Sequence, residues 1–111
     1  MREKKAEKGD TVSVEYVGYF TNGQVFDTNI LEVAKKHRMY NPRQDYAPFV
    51  FKIGEGRVIR GFENAVLGMS VGEKKRVTIP PEDAYGVNTN HPLSGKTLIF
   101  DIHVLAIEKK T

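Results

Sequence analysis

Residues 11–24 have the sequence TVSVEYVGYFTNGQ, and this stretch decides the fold class. Val12, Val14 and Tyr16 alternate with polar residues, which is the period of two expected of a strand with one buried face. The Asn-Gly pair at 22–23 suits the positive φ angles of a tight hairpin turn, so the next four residues are predicted to return as a second strand. The stretch therefore predicts an antiparallel sheet.

Three further strands are predicted, at residues 48–53, 74–79 and 97–107. In the last two, apolar residues alternate with other residues as they do in the first strand. The strand at 97–107 is the longest. Its inward face is expected to carry Leu98, Phe100, Ile102, Val104 and, at the end, Ala106.

Two helices complete the prediction. A core helix is expected at residues 59–68, where Phe62, Ala65, Val66 and Met69 recur at helical spacing. A short extra helix is expected near residues 30–37, because Asn29 and Glu32 have the spacing of a capping box. The absence of strands alternating with long helices disfavours a parallel sheet. The expected fold is an α+β domain in which an antiparallel sheet curves over one core helix.

The composition fits one globular domain, with 111 residues, 40% hydrophobic and 28% charged. The chain has no cysteine, which excludes disulfides and thiolate chemistry. No apolar run is long enough to cross a bilayer, and residues 1–8 are too charged for a signal peptide, so we expect a cytoplasmic protein, monomeric by default. The net charge of +3 is scattered along the chain, which does not favour nucleic-acid binding.

The residue types that often carry catalysis do not form a recognisable set. His37, His91 and His103 fall on different predicted elements, and no pair has metal-ligand spacing. His91 lies beside Pro92, where it is expected first to shape its loop and only second to contact a ligand. The run at 95–97, GKT, lacks the earlier glycine of a phosphate-binding loop. No metal or other cofactor is expected.

Six motifs occur in an order and at a spacing that resemble one enzyme family. They are YVG at 16–18, GQVFD at 23–27, PFVFKIG at 48–54, VIRGFE at 58–63, AYG at 84–86 and LIFDI at 98–102. Through them the chain resembles the FKBP-type (macrolide-binding) peptidyl-prolyl cis/trans isomerases over residues 9–108. The resemblance implies a twisted antiparallel half-barrel wrapped around the core helix, in a single domain spanning residues 1–111.

The resemblance also implies an apolar pocket that receives a proline ring. Its candidate catalytic residues are Tyr16, Phe26, Asp27, Ile59, Tyr85 and Phe100, and its candidate substrate-binding residues are Phe49, Val58, Phe62, His91 and Leu93. Phe62 stands at the floor, where the family often has Trp. From composition alone, these aromatic residues would be assigned to the core. Asp27 is the most informative residue, because an acid in a returning strand needs a polar partner if it is buried and is otherwise a surface acid.

A closer resemblance is to the SlyD-like branch of prokaryotic isomerases, through residues 90–96, NHPLSGK, and through the insertion around 29–46. In that branch an insert-in-flap chaperone domain separates the AYG motif from the NH segment. Here only residues 87–89 lie between them. The chain therefore resembles a branch member that lacks its chaperone insert.

The activity implied is rotation of X-Pro bonds in peptides and unfolded chains, with macrolide inhibitors as further candidate ligands. Two alternatives stay open: a module that binds proline-containing segments but isomerises them poorly, and a chaperone that holds unfolded chains. The missing insert argues against the chaperone, because the apolar surface for that task lies in the insert. A nucleic-acid role ranks third.

Overall fold

The structure, a computed structural model, describes residues 4–111. The first three residues of the charged segment at 1–8 lie outside the described part. The elements are β1 (Thr11–Phe20), β2 (Val25–Thr28), α1 (Leu31–Lys36), β3 (Phe49–Lys52), α2 (Arg60–Val66), β4 (Lys74–Ile79), a 3-10 turn (Pro81–Asp83) and β5 (Leu98–Glu108). No helix among residues 4–111 is long and apolar enough to cross a membrane.

Strand β1 is the centre of an open, five-stranded antiparallel sheet. One of its edges pairs along the whole strand with β5, from Thr11 opposite Glu108 to Phe20 opposite Leu98. Its other edge is divided between β3, at residues 11–14, and β2, at residues 17–19. Strand β4 pairs with the far edge of β5. The predicted α+β class with an antiparallel sheet is confirmed.

Helix α2 packs its apolar face on the sheet and forms the centre of the core. Phe62, Ala65, Val66 and the following Met69 are all buried, as their helical spacing predicts. Gly61 lies so close to β4 that a Cβ atom there would overlap the side chain of Ile79. The missing side chain therefore lets the helix approach the sheet closely.

The inward face of β5 differs from the prediction at its end, where Ala106 is exposed and Ile107 is buried. Ser13 of β1 pairs with Ala106, but Val14 pairs with Val104, so one residue of β5 is left over between them. Such a bulge reverses the alternation of the residues beyond it. The apolar Ile107 consequently faces the core in place of Ala106.

Helix α1 begins at Leu31, and the predicted capping box is wrong. Ile30 is the residue before the first turn, and no side chain caps the helix. The Asn29 side chain is buried instead: it accepts a hydrogen bond from the Tyr16 backbone N–H (2.9 Å) and donates to the Val14 (3.0 Å) and Ala47 (3.2 Å) carbonyls. The amide satisfies β1 backbone groups at the boundary between the stretch that pairs with β3 and the stretch that pairs with β2, and this use of the side chain replaces the predicted cap.

The hairpin between β1 and β2 is confirmed, but its turn is not the one expected. Gly23 has a φ of +89°, whereas Asn22 keeps a negative φ. The Asn22 side chain accepts a hydrogen bond from the Gln24 N–H (2.9 Å), which fixes the turn in another way.

The two ends of the described chain are joined at Asp10, whose side chain is fully buried. Its carboxylate accepts hydrogen bonds from the Lys109 ammonium (2.6 Å) and from the backbone N–H groups of Lys110 (3.0 Å) and Glu7 (2.9 Å). These charge-assisted bonds hold the pKa of Asp10 down at about 2, the bond from Lys109 having the largest effect.

Candidate active site

An open cleft of about 150 Å³ lies where the first turn of α2 meets the sheet. It is lined by Tyr16, Asp27, Phe49, Arg57, Val58, Ile59, Phe62, Tyr85 and Phe100. Eight of these were candidates from the sequence, although they come from distant parts of the chain. The fold therefore brings most of the candidate residues to one place.

Three aromatic residues from three elements form the base of the cleft. Phe62 comes from α2, Tyr16 from β1 and Phe100 from β5. The Phe62 and Phe100 rings meet edge to face at 5.3 Å between centroids, and Tyr16 meets Phe62 the same way at 5.9 Å. Edge-to-face contacts are favourable and leave little freedom of ring orientation, so the base is rigid and apolar.

Gly18 makes room for the aromatic residues that support this base. A Cβ atom at Gly18 would lie 2.8 Å from the Phe26 ring and 3.0 Å from the Phe100 ring. Phe26 packs edge to face on Phe100 at 5.7 Å and stacks on Phe20 at 4.8 Å. Phe26 thus lies outside the lining of the cleft and contacts it through Phe100.

Asp27 is exposed, and its polar partner is Tyr16. The Tyr16 hydroxyl donates a hydrogen bond of 3.2 Å to one carboxylate oxygen of Asp27. Burial, and next the negative charge of Asp27, raise the pKa of Tyr16 well above its ordinary value. Tyr16 therefore stays protonated at neutral pH and holds the carboxylate beside the cleft.

Tyr85 lies on the loop after the 3-10 turn, with its ring against His91. The two rings are nearly parallel, 9° apart in plane, at 3.9 Å between centroids. His91 Nδ1 accepts a hydrogen bond from the Leu93 N–H (3.0 Å). Burial, and next the charge of Asp27, raise the pKa of Tyr85, so its hydroxyl remains a donor at neutral pH.

His91 and Leu93 do not line the cleft. His91 is exposed and bonded within its own loop, and Leu93 is half-buried against the core. The arrangement agrees with the first expectation for His91, which was to shape the loop.

Arg57 lines the cleft but was not predicted. It is an exposed residue in the loop between β3 and α2, and an arginine in such a position resembles any surface residue in the sequence. Its place directly before Val58 and Ile59, both candidates, was the one available signal.

The cleft offers apolar walls, two phenol groups, one carboxylate and one guanidinium. Within residues 4–111, no three His, Asp or Glu side chains are grouped to hold a metal ion. Apolar walls with a few polar groups beside them are typical of clefts that bind small apolar groups and orient their polar neighbours.

Comparison with known proteins gives a consistent family. The sequence model of the family described as FKBP-type peptidyl-prolyl cis-trans isomerase matches residues 2–105 of the chain. The chain is 52% identical over 81 residues, 73% of its length, to the short-type peptidyl-prolyl cis-trans isomerase of Methanocaldococcus jannaschii. It is 40% identical over 110 residues, 97% of its length, to peptidyl-prolyl cis-trans isomerase FKBP15-2 of Arabidopsis thaliana, and 39% identical over 107 residues to FK506-binding protein 2 of Yarrowia lipolytica.

These alignments cover 51% of the archaeal protein, 60% of the plant protein and 65% of the yeast protein. The match to the family model, at residues 2–105, includes nearly all of the sheet and the whole of α2. On the family match, the fold and these relatives together, the chain belongs to the FKBP-type peptidyl-prolyl cis/trans isomerases.

Proposed function

We propose that this chain accelerates cis/trans rotation of X-Pro bonds in peptides and unfolded proteins, and that the cleft is its active site. The observation that carries the proposal is the meeting of eight candidate residues around one apolar cleft in a chain of this family. The 111 residues act as a single domain, without a cofactor.

Rotation about a peptide bond has a barrier of roughly 18–20 kcal/mol, because the planar amide is stabilised by resonance. Twisting the C–N bond removes that resonance and leaves the carbonyl oxygen less negative. An apolar cleft solvates the polar planar amide poorly, and the Asp27 carboxylate near the carbonyl oxygen disfavours it further. The twisted state is then bound more tightly than the ground state, which is what catalysis requires.

Each candidate residue from the sequence has a role in this scheme. Phe62 forms the floor under the proline ring. Tyr16 and Phe100, which meet Phe62 at the base, form the walls together with Phe49 and Val58. Asp27 faces the twisting carbonyl, and Phe26 acts indirectly, through its contact with Phe100. The backbone N–H of Ile59 binds the substrate chain, and the Tyr85 hydroxyl donates to a substrate carbonyl. His91 and Leu93 act on substrate through the loop that carries Tyr85.

FK506 is a candidate competitor for the cleft, since several relatives are named FK506-binding proteins. A cytoplasmic location and a monomeric state stay predictions from the sequence. The binding module with weak catalysis also stays an alternative, and the rate measurements below separate it from an enzyme.

The SlyD-like origin, with the chaperone insert absent, is part of the same proposal. The loop at 86–95 closes on itself: the Gly95 N–H donates to the Gly86 carbonyl at 2.7 Å, and the Thr89 N–H donates to the Ser94 hydroxyl at 2.9 Å. Because the two ends of the loop are adjacent, a whole domain inserted between them leaves the rest of the fold in place. This supports residues 87–89 as the point where relatives carry their insert.

The test compares two substrates. A short proline peptide and a denatured protein whose refolding is limited by a proline bond are each followed with increasing amounts of this chain. We expect strong acceleration for the peptide and much weaker acceleration for the protein, because the insert that captures unfolded chains is absent. Equal acceleration of both would contradict the missing-insert proposal, and no acceleration of either would contradict the enzyme proposal.

A further inference from the structure

Arg57 lies at the junction of the cleft and a second groove. That groove, of about 320 Å³, runs beside β3 and is lined by Thr11, Phe49, Val50, Phe51, Lys52, Glu55 and Arg57. Phe49 and Arg57 belong to both depressions. A peptide that leaves the cleft on this side therefore passes Arg57 and enters the groove.

The loop that carries Arg57 is held at its base. The Gly54 N–H donates a hydrogen bond to the Glu63 carboxylate of α2. Gly54 and Gly56 have φ angles of +101° and +68°, which suit glycine and give the loop its tight course. The backbone of Arg57 is thus fixed relative to α2, while 71% of its side chain is exposed.

Within residues 4–111, the acidic partner of Arg57 is Glu55, at 3.8 Å. Both side chains are in contact with solvent, so this ion pair is weak and a carboxylate on a ligand can replace it. Lys52, an exposed residue, adds a second positive charge to the groove. The groove side of the cleft therefore favours negative charge.

The opposite charge lies elsewhere on the cleft. Asp27 lines it together with Tyr16, the donor to its carboxylate. An acidic substrate side chain is repelled by Asp27 and attracted by Arg57 and Lys52. The two charged lining residues, Asp27 and Arg57, therefore make different parts of the cleft favour substrate side chains of opposite charge.

We propose that Arg57 selects X-Pro segments that carry a Glu or Asp directly before or directly after the proline, with the flanking chain in the groove beside β3. The inference rests on the proposed isomerase function and names the substrate class of that site. Strand β3 pairs only with β1 among the described strands, and Val50 is 57% exposed, so the groove side is open to a ligand chain.

The test uses acetyl- and amide-capped Ala-Xaa-Pro-Phe and Ala-Leu-Pro-Xaa peptides with Glu, Gln or Lys at Xaa. NMR exchange spectroscopy gives kcat/KM, and NMR titration gives Kd. We expect the Glu peptide of at least one series to exceed its Gln counterpart by about two- to fivefold, the usual range for an exposed ion pair. The advantage should shrink at an ionic strength of about 0.5 M, because salt screens exposed charges.

Three variants decide whether Arg57 is responsible. Arg57→Gln should bring the Glu-to-Gln ratio to about one, Arg57→Glu should favour the Lys peptide, and Glu55→Gln should raise the ratio because it removes the competing carboxylate. Lys36→Gln, which removes a positive charge from the exposed side of α1, is the matched control and should leave the ratio unchanged.

Equal Glu and Gln values in both series, or a Glu preference that survives Arg57→Gln, would overturn the inference. If no peptide is isomerised, the proposed function fails, and the Kd values still decide whether Arg57 selects acidic segments.

Discussion

The phenol ring of Tyr85 and the imidazole ring of His91 lie parallel, 3.9 Å apart, at the edge of the cleft. Tyr85 lines the cleft and His91 does not. Through the stack, His91 therefore orients the Tyr85 ring from outside the cleft. His91 is in turn fixed by the hydrogen bond that its Nδ1 accepts from the Leu93 N–H. The loop at 84–95 therefore positions the Tyr85 hydroxyl through contacts that lie outside the cleft.

Removal of the stack should lower activity without removing any group from the cleft. We expect His91→Ala to reduce kcat/KM by about two- to tenfold, the value of one aromatic contact, and His91→Phe to restore a large part of it. His37→Ala, at the exposed end of α1, is the control. If His91→Ala turns over the peptide as fast as the wild type, the stack does not position Tyr85.

The Tyr85 hydroxyl is expected to contribute one hydrogen bond to the substrate carbonyl. Tyr85→Phe keeps the ring and the stack, so it should lower kcat/KM by about two- to tenfold with little change in thermal stability. Tyr40→Phe, at an exposed tyrosine outside the cleft, serves as the matched control. Unchanged peptide turnover in Tyr85→Phe would remove the hydroxyl from the mechanism.

The closeness of Gly18 to two aromatic rings predicts a steric effect. Gly18→Ala should destabilise the fold by roughly 1–3 kcal/mol, measured by urea unfolding, because the new methyl group forces the Phe26 and Phe100 rings apart. The Phe26→Leu substitution should lower the free energy of unfolding by less in the Gly18→Ala variant than in the wild type. The smaller leucine side chain relieves the clash with the new methyl group. Additive costs in this double-mutant cycle would show that the rings do not restrict position 18.

The buried Asp10 carboxylate predicts how stability depends on pH. Its folded pKa of about 2 lies below the ordinary 3.8, so the unfolded chain binds this proton first as the pH falls. The contribution is complete above pH 3.8 and is lost as the pH falls towards 2.

Urea unfolding between pH 2 and 6 measures this effect. Asp10→Asn should be less stable than the wild type near neutrality and should show a flatter decline in acid. Asp45→Asn, in an exposed loop, should follow the wild-type profile. Parallel curves for Asp10→Asn and the wild type would exclude Asp10 as the titrating group.

The sequence predicts elements well where alternation alone decides them. Strands β1 and β4 have the predicted bounds, because alternating residues with a period of two mark them in the sequence. Strand β2 also has its predicted bounds, but these followed from the hairpin turn at 22–23, since its own burial does not alternate. The prediction for the inward face at the end of β5 was wrong. The bulge there depends on how β5 pairs with β1, and the sequence of a single strand does not contain that information.

Side-chain partners across the fold are also invisible in the sequence. Asn29 and Glu32 have the spacing of a cap, yet Asn29 bonds β1 and the segment before β3. For the site, the family motifs located eight lining residues, whereas Arg57 looked like surface charge. Long-range contacts decide both cases, and local patterns do not encode them.

The most direct test of the central claim is the cis/trans exchange rate of acetyl-Ala-Leu-Pro-Phe-amide with a small fraction of an equivalent of this chain. Without catalyst, such bonds exchange in tens to hundreds of seconds. We predict exchange that accelerates in proportion to the protein concentration and is blocked by FK506. A rate equal to that of the free peptide, at concentrations where NMR titration shows the peptide bound, would show that the cleft binds proline segments without isomerising them.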